Sequence, residues 1–198
     1  MKTAAYLFLA DGFEEIEAVA PADILKRSSK DVQLVSINSC RQVRSAHGVL
    51  LTADWTWEEF LSGFASEQTP VDKIALVFPG GMPGAANLAA FRPLMDLAAK
   101  HLQEGGLVCA ICASPGTILP VLDALGASVR GRRFTCYPGC EGAPLGVGAE
   151  KVDASVVTDG NLITANGPGA AMDFGYAICA ALRGQDAAGV LKAAMMYH

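Results

Sequence analysis

The most constraining feature of this chain is a recurrence of short, continuous apolar runs, most closed by a tight turn and followed by a segment of helical spacing. Thr3–Ala10 meets Asp11-Gly12, Val32–Ile37 follows, Lys73–Phe78 ends on Pro79-Gly80-Gly81, and Leu107–Ile111 delivers Cys112. Such runs are too short for core helices and lack the alternation of a half-exposed strand, so they read as parallel strands covered on both faces. Helices are predicted over Glu14–Ser28, Trp57–Phe64, Asn87–Gln103, Thr117–Leu125, Ala170–Leu182 and roughly Asp186–Met195. A small edge hairpin is expected over Val43–Ala53, and a short strand over Arg133–Cys136. Val152–Thr158 and Asn161–Thr164 should pair by turning at Asp159-Gly160. The expectation is an α/β fold with a mostly parallel sheet and helices on both faces. Ligands in such folds bind beyond the carboxyl ends of the strands. Asp11-Gly12, Gly80-Gly81, Cys112-Ala113 and Gly167–Gly169 should therefore converge on one edge.

Composition narrows the function classes. The 198 residues suit one domain spanning 1–198, and 52% apolar with 18% charged residues is globular. A net charge of −5 with no basic stripe argues against nucleic acid, and Arg130, Arg132 and Arg133 read as a solvated turn. No signal peptide is expected, because the first strand-like run meets an acidic segment. No apolar run approaches the roughly 20 residues of a membrane span. Six cysteines without a secretory signal read as reduced thiols, which places the chain in the cytoplasm.

GGLVCAICASPG (Gly105–Gly116) has the layout of strand, elbow and helix start, with Cys112 at the elbow. A thiol there sits beside unpaired amides and the positive end of a helix dipole, which favour thiolate. The alternative is a buried strand cysteine acting as a small hydrophobe. In the first helix, Ile16, Val19, Ala20 and Ile24 recur at helical spacing, Glu17 lies at the margin of that stripe, and Pro21 should bend the helix. A carboxyl half-facing the core would have a raised pKa and serve as general acid or base. Spacing alone favours placing Glu17 in a solvated acidic turn, the reading given to Glu14 and Glu15. The amides of Gly80-Gly81 and Ala113 could form an oxyanion hole, or the glycines could simply make a tight turn. No Lys-Ser/Thr follows, so a phosphate loop is excluded.

Cys109 and Cys112 should point to opposite strand faces, which argues against a zinc set with Cys136 and Cys140; no metal is expected. Cys136 or Cys140 is instead a candidate resolving thiol for oxidised Cys112. Of three histidines, His101 and His198 read as solvated, and His47 could line a site or cap a turn.

Four blocks carry a family resemblance: ADGFEEIEAVAPADILKR (Ala10–Arg27), FPGGMPGAANL (Phe78–Leu88), VCAICASPG (Val108–Gly116) and ITANGPGAAMDF (Ile163–Phe174). Together they resemble the ThiJ/PfpI superfamily across essentially the whole chain. The resemblance is to the branch holding YajL-like chaperones and the parkinsonism-associated protein deglycase. It implies a flavodoxin-like α/β sandwich and a homodimer, with no cofactor. By position it implies that Cys112 is the reactive, oxidisable nucleophile and Glu17 the protonated glutamate contacting it. Gly81 and Ala113 match the oxyanion-facing amides, while Arg27, His47 and Pro168 match positions near the pocket or dimer contact.

Two departures accompany it. Tyr137-Pro138 stands where many members carry His-Pro, leaving Tyr137 as a weak substitute base, and His47 stands where arginine is frequent. Ala113 after the cysteine, where the peptidase branch has histidine, argues against peptidase activity. The old thiazole phosphate label finds no phosphate motif. The implied function is glyoxalase III or deglycase chemistry on small reactive aldehydes such as methylglyoxal, or on glycated protein side chains. The alternative is an oxidative-stress sensor or redox-regulated chaperone.

Overall fold

A computed structural model describes residues 3–29 and 31–197; His198 lies outside them. In chain order the elements are β1 (Ala4–Leu9), α1 (Glu15–Ser28), β2 (Asp31–Ser36), β3 (Gln42–Arg44), β4 (Leu50–Thr52), β5 (Trp55–Thr56) and α2 (Trp57–Phe64). There follow β6 (Ile74–Phe78), α3 (Gly84–Ala90), α4 (Arg92–Gln103), β7 (Leu107–Ile111), α5 (Ser114–Ala124), β8 (Arg133–Phe134), α6 (Gly142–Gly146) and β9 (Glu150–Lys151). The chain closes with β10 (Val156–Asp159), β11 (Leu162–Ala165), α7 (Ala171–Arg183) and α8 (Gln185–Ala194).

The main sheet has seven strands in the order β10-β11-β7-β6-β1-β2-β5. All its pairings are parallel except β10 against β11. The continuous apolar runs thus have the cause proposed for them. Along β1, Tyr6 and Phe8 join one buried cluster with α2, α4 and α5, whereas Ala5 and Leu7 join another with α1 and α7. The first cluster is aromatic-rich: Phe8 and Phe60 meet edge-on at 5.2 Å between centroids. Each such ring contributes about 1.5–3 kcal/mol by leaving water. Chain order reverses between β1 and β6, the switch point at which these sheets open a crevice.

Several expectations are corrected. The buried face of α1 is Glu17, Ala18, Pro21, Ala22, Ile24 and Leu25, whereas Ile16 and Val19 are exposed. Small residues let α1 lie close on α7, where a Cβ at Gly175 would come within 2.7 Å of Ile24 Cδ1. The single helix expected over Asn87–Gln103 is two, broken at Phe91, with a proline in the first turn of α4. Helix α5 starts at Ser114 directly out of the elbow, not at Thr117, again with a proline in its first turn. Arg132 is not simply solvated: its guanidinium bonds the Asp159 carbonyl and Asn161 Oδ1.

His101 is also buried rather than solvated, and its Nε2 meets the Ile74 carbonyl at 3.0 Å. Its ring occupies the space beside Gly106, where a Cβ would collide with it. Gly106→Ala is therefore expected to destabilise by about 1–3 kcal/mol, the scale of overpacking. Urea denaturation measures this, and an unchanged midpoint would contradict the packing described.

Candidate active site

The three turns after β1, β6 and β7 meet at the switch point. Helix α1 is stitched to the end of β6 in both directions: the Glu14 N–H donates to the Gly80 carbonyl at 2.9 Å, and the Gly80 N–H donates to Glu17 Oε2 at 2.8 Å. Glu14 is the N-cap of α1, its carboxylate accepting from the Glu17 N–H at 2.8 Å. These bonds hold Glu17 at 0% exposure rather than half-facing the core. Its other oxygen, Oε1, has no partner by hydrogen-bond geometry, although the Cys112 thiol lies close enough to interact with the carboxyl.

Cys112 adopts φ 64°, a left-handed conformation that β-strand residues avoid. This is a nucleophile elbow, and it interrupts the alternation of β7. Cys109 and Cys112 consequently face the same buried cluster, not opposite faces as strand spacing implied. The elbow is locked by the Cys112 N–H donating to the Ala165 carbonyl at 2.9 Å and by Ser114 Oγ donating to the Pro79 carbonyl at 2.6 Å. The backbone N–H groups of Ala113 and Gly81 lie near enough to the Cys112 sulfur to pull its pKa down. Gly81 takes φ 84°, a turn that suits glycine. Gly80 is excluded from bearing a side chain: a Cβ would stand 2.6 Å from Glu17 Oε2 and 2.7 Å from Cys112 Cβ.

Electrostatics reverse one expectation. Burial pushes the Cys112 thiol up to about 12, helped by the Glu17 charge and hydrogen bond, while the Ala113 and Gly81 amides pull it down. Dipole and amides are outweighed because Cys112 is only 8% exposed. Burial likewise raises Glu17 to about 7. Two acids in contact titrate as a pair. The pair holds two protons below neutrality and one above it, and that one can reside on the thiol or on the carboxyl. The tautomer with that proton on Glu17 removes the charge beside the sulfur and supplies the unpartnered Oε1 with a hydrogen to donate.

Tyr137 reaches the elbow through its backbone, its N–H donating to the Cys112 carbonyl at 2.8 Å, while its side chain is 50% exposed at the rim beside Gly167. Pro168 opens the short turn after Gly167, next to that ring. Cys136 is buried and Cys140 half-buried on the same loop. His47 lies on the rim, its Nδ1 3.1 Å from Glu15 Oε2, and the pairing raises the imidazole pKa. Arg27, in the last turn of α1, pairs with Asp23 at 2.9 Å. It lies ten residues beyond Glu17, about 15 Å along the helix, so within one chain it does not join the site.

Among the described residues, Glu14, Glu15 and His47 bring potential metal-ligand atoms within 4.8 Å of one another. Their atoms are already committed to the helix cap and the ion pair, and the positive end of α1 opposes a cation. Sequence reasoning missed the roles of Glu14 and Ser114. The Glu14-x-x-Glu17 spacing, that of a cap and the third helical residue, was the available signal for the first.

A parallel sheet switch point bearing a left-handed cysteine against a buried carboxyl defines an α/β protein with a cysteine elbow at its crevice. The DJ-1/PfpI family profile matches residues 3–181, and the chain belongs to that family. It is 31% identical over 193 residues to the Parkinson disease protein 7 homolog of Danio rerio, covering 97% of this chain and 96% of the relative. A deglycase of Pyrococcus abyssi is 32% identical over 160 residues, covering 81% and 87%. The crystal structure of Drosophila melanogaster DJ-1beta superposes with a TM-score of 0.85 at 30% identity, over 100% of both chains.

Proposed function

We propose that the protein is a cysteine-dependent enzyme acting on α-oxoaldehydes such as methylglyoxal, or on the early adducts these form with protein side chains. The observation that carries this is the fully buried Glu17, with Oε1 unpartnered, beside a left-handed Cys112. In the tautomer with Glu17 protonated, the Cys112 thiolate attacks the aldehyde carbon. The carbonyl π pair moves to oxygen near the Gly81 and Ala113 amides, and Glu17 protonates it to a hemithioacetal. The Glu17 carboxylate then removes the former aldehyde proton, giving an enediolate. The hydroxyl proton passes to the neighbouring oxygen, and Glu17 returns its proton to the adjacent carbon to leave a thioester. Water hydrolyses the thioester to the hydroxy acid and frees the thiol. On an early glycation adduct, the same attack would begin cleavage from the amine. The deglycase name of the Pyrococcus relative supports this substrate class. Lactate formation from methylglyoxal by the wild type and by site variants tests the reading.

A second reading has its own support. Two amides on one sulfur, and a carboxyl able to donate from Oε1, would also hold the oxygens of an oxidised Cys112. Peroxide would convert thiolate to sulfenic and then sulfinic acid, each step releasing water, as in a stress sensor or redox-regulated chaperone. Tyr137 in place of a histidine base weighs towards it. Six free cysteines fit a reducing compartment, the cytoplasm.

The chain is further proposed to form a homodimer through the start of α1 and the β3–β4 hairpin. Ile16 and Val19 are 52% and 45% exposed, and Val49 and Leu50 are each 51% exposed. The two elements are neighbours, since the Ala46 N–H bonds the Phe13 carbonyl and His47 pairs with Glu15. In this assembly His47 lies close to the partner's surface. Val19→Asp is expected to weaken dimerisation by about 2 kcal/mol or more, the scale of a central interface residue. Sedimentation across a concentration series reads this, and an unchanged dimer would place the contact elsewhere.

A further inference from the structure

The loop after β8 holds two thiols for which the proposed chemistry has no use. Cys136 and Cys140 bracket Tyr137-Pro138-Gly139, a turn closed by the Cys140 N–H donating to the Tyr137 carbonyl at 3.0 Å, with Gly139 at φ 92°. Such a turn brings its end Cα atoms within about 7 Å, and Cys136 is the residue immediately before it. Both side chains touch the apolar cluster on the α2, α4 and α5 side of the sheet, and Cys140 also packs against the cluster on the α1 and α7 side. Cys136 is 2% exposed, whereas Cys140 is only partly buried, so one thiol is reachable from solvent and the other waits behind it. The charge of Cys140 helps to raise the Cys136 pKa, as expected of neighbours. Cys112 faces the opposite cluster, and its sulfur is surrounded by Glu17, Gly81 and Ala113. Cys136 and Cys112 thus lie in opposite clusters, and Cys140 is the neighbour within reach of Cys136 along its own turn.

We propose that Cys136 and Cys140 form a second redox site, a dithiol that a hydroperoxide closes to a disulfide across the Tyr137 turn. The Cys140 thiolate attacks a peroxide oxygen, the O–O bond breaks, and an alcohol or water leaves as a sulfenic acid forms. The Cys136 sulfur then attacks that sulfur, forming the S–S bond and releasing water. The two thiols are oxidised by two electrons, and the peroxide takes them up. The link ties down the loop whose Tyr137 N–H bonds the Cys112 carbonyl and whose ring leans on Gly167, so its state is felt at the rim of the site.

Graded peroxide treatment, thiol alkylation and tryptic mapping without reductant test this. Cleavage after Arg133 and Lys151 isolates Cys136 and Cys140 in one peptide, while Cys109 and Cys112 fall in the peptide 101–130. The expected result is a 134–151 peptide lacking two hydrogens and refusing alkylation, restored by dithiothreitol. It should form equally in Cys112→Ser, which separates it from any failure of the catalytic reading. In Cys140→Ser, at the partly buried position, Cys136 should remain an alkylatable thiol. A cross-link joining 101–130 to 134–151 would overturn the proposal. So would free Cys136 and Cys140 at a peroxide dose that fully oxidises Cys112.

Discussion

Cys112→Ser lowers methylglyoxal turnover to background, a loss of about 10³-fold or more of the kind seen when a nucleophile is removed. The substitution is nearly isosteric and keeps the elbow, since the Cys112 N–H bond to the Ala165 carbonyl involves only backbone. What it removes is the ionisable sulfur. A serine hydroxyl is far too weak an acid for Glu17, held up at about 7, to generate an alkoxide. Circular dichroism should be unchanged, so that the loss reports chemistry and not unfolding. If the serine variant still makes lactate at the wild-type rate, the thiol is a bystander and the enzyme reading fails.

Glu17→Gln is expected to have three coupled effects. Turnover should fall by about 10²- to 10⁴-fold, the contribution of a positioned acid–base group. The Cys112 pKa should fall from about 12, because Glu17 raises it both by its charge and by its hydrogen bond. Iodoacetamide alkylation should therefore become faster at neutral pH even as catalysis is lost. Stability should change with a definite sign. The folded state keeps the Glu17 proton to about pH 7, whereas the unfolded chain loses it near 4.5. Between those values the native state binds more protons, so wild-type stability falls as pH rises through this window. A neutral glutamine escapes that loss and retains an oxygen to accept from the Gly80 N–H. The variant should be the more stable by up to about 3 kcal/mol above about pH 8, and by little near pH 4. Thermal melts across pH give the measurement. Unaltered turnover in the glutamine variant would remove Glu17 from the mechanism.

The two faces of α1 show where sequence reading stops. Helical spacing picked out Ile16 and Val19, yet both are exposed, and the buried side carries Ala18, Pro21 and Ala22. Hydropathy ranks residues by their cost in water, whereas α1 is placed by how closely its backbone can approach α7 at Gly175. His101 failed in the same way: it ends a polar helix, but Gly106 leaves a hollow that only its ring fills. The division of one predicted helix at Phe91 was readable from Pro93 two residues later. By contrast, the central strands β1, β6 and β7 were plain, because burial on both faces leaves an uninterrupted apolar run, whereas the two-residue edge strand β5 carries no such signal.

The sequence by itself determined the alternation of strands and helices, the convergence of glycine turns at one sheet edge and the thiol at one of them. These follow from local propensity and short-range pattern. It also carried the four blocks by which the family resemblance could be stated. Only the tertiary structure decided the left-handed turn of Cys112, the complete burial of Glu17 and the unpartnered oxygen that couples the two. Glu17 and Gly80 stand 63 residues apart and are joined by one hydrogen bond at the crevice. Spacing cannot report such a bond, because the burial that shifts both pKa values exists only after β1, β6 and β7 have been laid side by side.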